Sequence, residues 1–268
     1  MCRHLAYLGA PATLRSVLID PPSGLCRQAW APRMQAHGTV NADGFGVGWY
    51  ADGDPVPARY RRAVPIWGDP SLPDLARVTR SAAVLAAVRS ATPGTATGAE
   101  AAAPFGAGPW LFSHNGVLEE WRELAEHGTV PATGLSLLGL EALVDSAYLW
   151  ALVLARLRAG ERPPGALAST IAAVEAAGGS GRFNFLLTDG RSIAATACGD
   201  TLWYRRRDDD GAWSVVVASE PGDEGPGWIS VPDRHVLTAT AAGVTLRPLS
   251  PVIAPPAVPP ATLAPKGS

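Results

Sequence analysis

The feature that most constrains this chain is a pair of helical segments side by side in its middle, with strand-type runs on both sides. Asp145-Ser146 reads as a helix N-cap before AYLWALVLARLRAG, with Gly160 as the stop. After Pro163-Pro164 a second amphipathic segment runs from about Ala166 to Ala177 and ends at Gly178-Gly179. Ahead of the pair, strand patterns occur at Arg3–Leu8, Phe45–Tyr50, Ala83–Val88 and Trp110–Ser113. Behind it, RFNFLLTD, Gly190 and RSIAATA give a hairpin signal, followed by TLWYRRR, WSVVVAS, HVLTATA and GVTLRPL. A βαβ repeat would alternate helices with strands. Grouping them instead predicts a layered α+β domain.

The rest of the sequence narrows the function classes. With 268 residues, 47% of them hydrophobic, the chain can bury one substantial core. That domain is expected over residues 2–250. From Pro251 the sequence PVIAPPAVPPATLAPKGS is too proline-dense for a sheet, so 251–268 is expected to be a disordered tail. A long small-residue loop, TPGTATGAEAAAPFGAGP, separates two of the strands and is of the kind kept for function or left disordered. A net charge of −2 and a pI near 6.2 argue against a nucleic-acid grip built on a basic surface. M-C-R-H offers no apolar export segment, and Ala147–Leu157 is too short for a bilayer and runs into Arg156 and Arg158. No membrane partner and a cytoplasmic location are therefore expected. The three cysteines, Cys2, Cys26 and Cys198, cannot all pair. The histidines are scattered without ligand spacing, so no disulfide framework and no metal are expected.

Several residues could carry chemistry. Removal of Met1 would leave Cys2 with a free α-amine beside its thiol, a nucleophile that carries its own base. Asn115-Gly116 reads either as an Asn-Gly turn ending a strand or as a side-chain amide and a backbone N–H converging as an oxyanion hole, with His114 adding a third polar group. Arg89 ends an apolar strand and needs an anion, either a structural acid or a substrate carboxylate. Asp145 could cap its helix or accept a substrate ammonium. Asn41 and Asp43 lie in a glycine-rich stretch that matches no phosphate-binding motif, and they are further substrate-binding candidates. Its glycines would let backbone come close to the N-terminal residue. Ser219-Glu220-Pro221 reads as a site edge or as an exposed strand terminus.

Taken in order, Cys2, NADGFGVG, VRSAT, SHNG and the later Asp-Ser pair resemble the class II glutamine amidotransferases, which are N-terminal-nucleophile hydrolases. The resemblance covers about residues 2–250. It implies an αββα sandwich of two stacked antiparallel sheets between helix layers. It also implies Cys2 as nucleophile, Asn115 and Gly116 as oxyanion donors, Arg89 for a glutamyl α-carboxylate and Asp145 for its α-amino group. Ala147 departs from the acidic residue many members carry there. CRHLAYLGAP, APRMQAHGTVNADGFGVGWY, PIWGDPS and WLFSHNGVL look like a γ-glutamyl amide hydrolase branch that acts on a sulfoxide intermediate of ergothioneine biosynthesis. The implied partner is a small-molecule γ-glutamyl substrate, with no cofactor. A homo-oligomer is compatible with the sequence. The competing readings are a glutaminase subunit that supplies ammonia to a separate synthase chain, and a non-catalytic γ-glutamyl-binding domain. For the bulky cationic leaving group, Trp49, Tyr50, Trp67 and Trp110 are candidate aromatic linings.

Overall fold

Side chains alternate across a strand, so a strand buried on both faces must serve two cores. The computed structural model describes residues 2–91, 95–127, 139–209 and 212–249, and its central strands do this. In β1 (Arg3–Thr13), Leu5 and Tyr7 enter one hydrophobic cluster while Ala6 and Leu8 enter another. In β4 (Arg80–Val88), Val84, Ala86 and Val88 join the first and Ala83 and Leu85 the second. This two-sided burial is why the run Ala83–Val88 is apolar throughout.

The remaining strands are β2 (Phe45–Trp49), β3 (Ala58–Arg62), β5 (Phe105–Ala107), β6 (Trp110–Leu118), β7 (Gly181–Thr188), β8 (Ile193–Ala197), β9 (Trp203–Asp209), β10 (Ala212–Ala218), β11 (Ile229–Ser230), β12 (His235–Thr240) and β13 (Gly243–Pro248). They form a seven-stranded sheet ordered β11-β9-β10-β1-β4-β2-β3 and a six-stranded sheet ordered β13-β12-β8-β7-β6-β5. The paired neighbours are antiparallel. Between the sheets, Ala6, Leu8 and Leu85 meet Leu111, Leu186, Ile193 and Leu237. The outer face of the first sheet is covered by α1 (Leu14–Leu18), α2 (Leu25–Gln28) and α3 (Leu72–Val78). The outer face of the second is covered by α4 (Trp121–Glu126), α5 (Asp145–Arg158) and α6 (Pro163–Ala176). The architecture is the expected αββα sandwich. The two mid-chain helices and all six late strand runs stand where the sequence placed them, within a few residues.

Some details differ. Helix α5 takes Asp145 as its first helical residue, and the extended N-cap is Val144. The strand through Trp110 does not stop at Ser113 but continues as β6 to Leu118, so His114-Asn115-Gly116 is strand and not turn. The glycines of β2 answer to a different neighbour from the one expected. A Cβ on Gly46 would stand 2.3 Å from the Ala103 carbonyl oxygen, so it is residues 102–104, not the N-terminus, that press against this strand. The expected tail, 251–268, lies outside the described residues, and so do residues 92–94 of the long loop. The later part of that loop forms a 3₁₀ turn at Ala99–Ala101 and the edge strand β5. Among the described residues no helix is long and apolar enough to cross a membrane.

Candidate active site

Register gathers the candidate residues at one end of the sandwich. Arg3 of β1 lies across from Val88 of β4, and Val88 from Phe45 of β2. Cys2, Arg89 and Gly44 therefore converge there from the first sheet. From the second sheet β6 brings Asn115 and Gly116, and α5 starts beside them with Asp145. One pocket is lined by Cys2, Arg89, His114, Gly116, Asp145 and Ser146, with Ala101, Ala103 and Phe105 as a wall.

Asn115 is fully buried. Its Oδ1 accepts from the Cys2 backbone nitrogen at 3.2 Å. This contact fixes the amide orientation, because the donor on Cys2 requires an acceptor. The other end, Nδ2, is buried without a hydrogen-bond partner. A buried amide donor left unpaired costs roughly 1–3 kcal/mol, which suits a group whose acceptor is a ligand.

Gly116 presents the second donor. Phe183, across from it on β7, turns its N–H to the Cys198 carbonyl at 2.7 Å and its carbonyl to Thr196 Oγ1 at 2.6 Å. Gly116 is therefore in a non-hydrogen-bonded pair, and its own N–H points away from β7. Two residues on, the Leu118 N–H points to that same side and is accepted by Asp145 Oδ2 at 3.0 Å. A side chain at 116 is excluded: a Cβ would fall 2.0 Å from the Arg182 carbonyl oxygen, at a φ of 153°.

Arg89 is held by one arm. Its Nη2 donates to Thr95 Oγ1 at 3.1 Å and to the Ala96 carbonyl at 2.8 Å. Its Nη1 is buried and has no hydrogen-bond partner among the described residues. Asp145 accepts from Leu118 N on Oδ2 and from Ser146 N on Oδ1 at 2.8 Å. Each oxygen keeps a lone pair, and the side chain is 20% exposed. The pocket thus sets a cation and an anion apart, the arrangement that fits a zwitterionic α-amino-acid end.

His114 has both ring nitrogens engaged. Nε2 stands 2.8 Å from the Arg182 carbonyl, which can only accept, so Nε2 carries the proton. Nδ1 then accepts from Ser146 Oγ at 3.0 Å. Burial lowers its pKa, against the opposing pull of Asp145 and the Arg182 carbonyl. His114 is a neutral brace between β6, β7 and α5 and has no proton to spare for chemistry. Asn41 and Asp43 do not line the pocket. Asn41 Nδ2 donates to the Gln28 carbonyl at 3.2 Å and to Gln35 Oε1 at 3.0 Å. Asp43 accepts from Ala91 N at 2.8 Å and donates its own N–H to the Arg89 carbonyl at 2.9 Å, so it shapes the Arg89 segment from behind.

Three of the aromatic candidates stand at the wrong end. Trp49 pairs with Val84, which pairs with Tyr7, about 16 Å along β1 from Cys2. Trp110 is six residues from Gly116, roughly 20 Å along β6. The Tyr50 hydroxyl is bound to the Pro109 and Thr188 carbonyls at that far end. Trp67 alone follows a strand end on the site side, half exposed and edge-on to Trp30 at 5.5 Å. Sequence reading missed Asn184, the cross-strand partner of Asn115. Its Oδ1 accepts from Cys198 N and Asp200 N, which fixes the turn after β8. It also missed the burial of Ser219 and Glu220, both wholly inaccessible.

Comparison with known proteins shows the family to which the chain belongs. Residues 19–211 match the family model described as glutamine amidotransferases class-II. The chain belongs to that family. A relative, γ-glutamyl-hercynylcysteine sulfoxide hydrolase of Mycolicibacterium smegmatis, is 44% identical over 93% of this chain and 100% of its own length. The protein of that name from Mycobacterium tuberculosis is likewise 44% identical, over 97% of its length. Among solved structures, a glutamine aminotransferase class-II domain protein from Silicibacter pomeroyi aligns with a TM-score of 0.66 and 26% identity, over 93% of this chain and 100% of that one. Glutamine phosphoribosylpyrophosphate amidotransferase from B. subtilis aligns with a TM-score of 0.66 at 17% identity, over 93% of this chain and 49% of that one, and shares the fold.

Proposed function

We propose that this chain hydrolyses the γ-glutamyl amide bond of γ-glutamyl-hercynylcysteine sulfoxide, releasing glutamate and hercynylcysteine sulfoxide. The observation that carries the chemistry is the Asn115 amide. One end of it is bound to the Cys2 nitrogen, and the other is a buried donor without a partner. The identity of the substrate is supported by whole-length relatives at 44% identity.

Removal of Met1 frees the Cys2 α-amine. The amine takes the thiol proton as Sγ attacks the γ-carbonyl carbon. Charge gathers on the carbonyl oxygen, where Asn115 Nδ2 and the Gly116 N–H donate to it. Arg89 Nη1 pairs with the substrate α-carboxylate, and the free lone pairs of Asp145 accept its α-ammonium. The amide C–N bond breaks as the α-ammonium of Cys2 passes its proton to the leaving nitrogen. Water then attacks the thioester with the same amine as base, and glutamate departs.

A glutamate-release assay on purified protein alone tests the reading. γ-Glutamyl-hercynylcysteine sulfoxide should exceed glutamine in kcat/KM by about 10²-fold; Arg89 and Asp145 meet the part common to both substrates, so this preference arises on the leaving-group side. A better rate with glutamine, or a need for an added synthase chain, replaces this reading with a glutaminase subunit. Intact mass of the active protein should lack Met1, and full activity with Met1 retained ends the N-terminal-nucleophile mechanism.

A further inference from the structure

Arg3 and Glu220 are wholly buried, and the reaction above uses neither. Arg3 directly follows the nucleophilic residue, and its Nη1 donates back to the Cys2 carbonyl at 3.5 Å. Its Nε stands 3.4 Å from Glu220 Oε1, an ion pair without hydrogen-bond geometry. Glu220 is bound more tightly on its other oxygen, where Oε2 accepts from Arg33 N at 2.7 Å and Met34 N at 2.9 Å. Those residues belong to the connection between α2 and β2. Its far end is fixed at the substrate arginine through Asp43, Arg89 and Ala91. This strap therefore runs from Glu220 to Arg89. Burying two charges is costly, and well-packed apolar residues in their place are often at least as stable. Stability alone is a poor reason for a charge pair here.

We propose that Arg3 and Glu220 are a positioning pair for the nucleophile: Arg3 supplies a positive field at Cys2, and Glu220 limits that field while tying residues 33 and 34 of the strap beside it. The inference rests on Cys2 being the nucleophile. Besides its own α-amine, the charged and titratable groups in this pocket and its charge network are His4 from β1, Arg89 after β4, His114 from β6, Asp145 from α5, and Asp200 after β8, which is paired with Arg182 of β7 at 3.1 Å. Burial holds both histidines neutral. Arg89 and Asp145 face the substrate with opposite charges. Burial weakens the hold of Arg3 on its proton, opposed first by Glu220, and the geometry that ties Arg3 to the nucleophilic residue is its Nη1 at the Cys2 carbonyl.

The test is the rate of Cys2 alkylation by iodoacetamide against pH, read on the N-terminal peptide by mass spectrometry so that Cys26 and Cys198 do not contribute. It needs no substrate, so it stands or falls apart from the substrate assignment. Arg3→Met should move the alkylation midpoint up by about half a pH unit or more, and Glu220→Gln should move it down by a similar amount. Gln at 220 keeps a carbonyl acceptor for the strap, and Arg3→Lys should restore most of the parent profile. Arg3→Met leaves a lone buried carboxylate and risks the fold. The double variant Arg3→Met/Glu220→Gln removes both charges, and its midpoint should lie above that of Glu220→Gln. Shifts of the two single variants in the same direction overturn the proposal. So does a double variant whose midpoint matches that of Glu220→Gln.

Discussion

Asn115 does two jobs with one planar group, and its variants separate them. Asn115→Ala removes the partner of the Cys2 nitrogen and the unpaired donor together, and should lower kcat by about 10²–10³ with a modest change in KM. Asn115→Asp keeps an acceptor for Cys2 N but sets a carboxylate where the oxyanion forms, so its kcat should fall at least as far. An Asn115→Asp enzyme close to wild type in single-turnover rate would place the oxyanion elsewhere. Arg89→Ala should cost roughly 2–5 kcal/mol in kcat/KM and do so equally for every γ-glutamyl substrate, since it acts on the shared end. Unequal losses across two leaving groups would contradict the carboxylate role. Cys2, Arg89, Asn115, Gly116 and Asp145 were legible because each sits in a short motif whose order along the chain is itself informative. Arg3 and Glu220 were not legible as a pair. They are 217 residues apart in sequence, and only the pairing of β1 with β10 brings them together.

At the scale of elements, β6 is where local reading and tertiary structure diverge. Asn-Gly is a turn signal in isolation. Here Asn115 faces Asn184 and Gly116 faces Phe183 in an uninterrupted ladder from Leu111 to Leu118. A partner strand some 70 residues away cannot be seen in a window of ten. The short helices α1, α2 and α3 escaped for another reason: at five, four and seven residues they are too brief to show a 3.6-residue period. Two glycine substitutions contrast what each strand can tolerate. Gly116→Ala drives a Cβ into the Arg182 backbone carbonyl, which cannot swing aside. It should destabilise by about 1–3 kcal/mol and abolish most activity as the Gly116 N–H is displaced. Gly48→Ala meets a Leu111 methyl at 2.6 Å, the end of a side chain that can change rotamer. Its thermal midpoint should fall less, with kcat near wild type. Equal thermal losses would show that the β6–β7 ladder adjusts as easily as a leucine rotamer does.

The layered α+β plan of the whole molecule followed from the grouping of helices and strands; the burial of two histidines inside it was not legible in the sequence. His4 faces the space between the sheets, with Nδ1 3.2 Å from Ser113 Oγ and Nε2 without a partner, and His114 lies on the helix side of β6. Both have their pKa lowered, His4 well below the usual 6.5, first by burial and then by His114 and Arg3. A histidine depressed in the folded state binds its proton more readily when the chain unfolds. Stability is then fully present above pH 6.5 and drains away as pH falls below it, until the folded pKa is reached. Each histidine contributes a slope of up to about 1.4 kcal/mol per pH unit between 6.5 and its own folded pKa, and His4, held further down, contributes over the wider range. Ordinary carboxylates titrate near 4, which leaves pH 5 to 6.5 as a window dominated by these two rings. Urea denaturation at half-unit steps from pH 5 to 8 should show a plateau above neutrality and a steep decline below 6.5. His4→Gln, which removes the titrating group but keeps a polar end near Ser113, should remove half or more of the decline even if it lowers the plateau. A profile flat from pH 5 to 8, or a His4→Gln protein with the parent slope, would mean that the interior accepts the histidine proton and that the sheets open to water at the catalytic end.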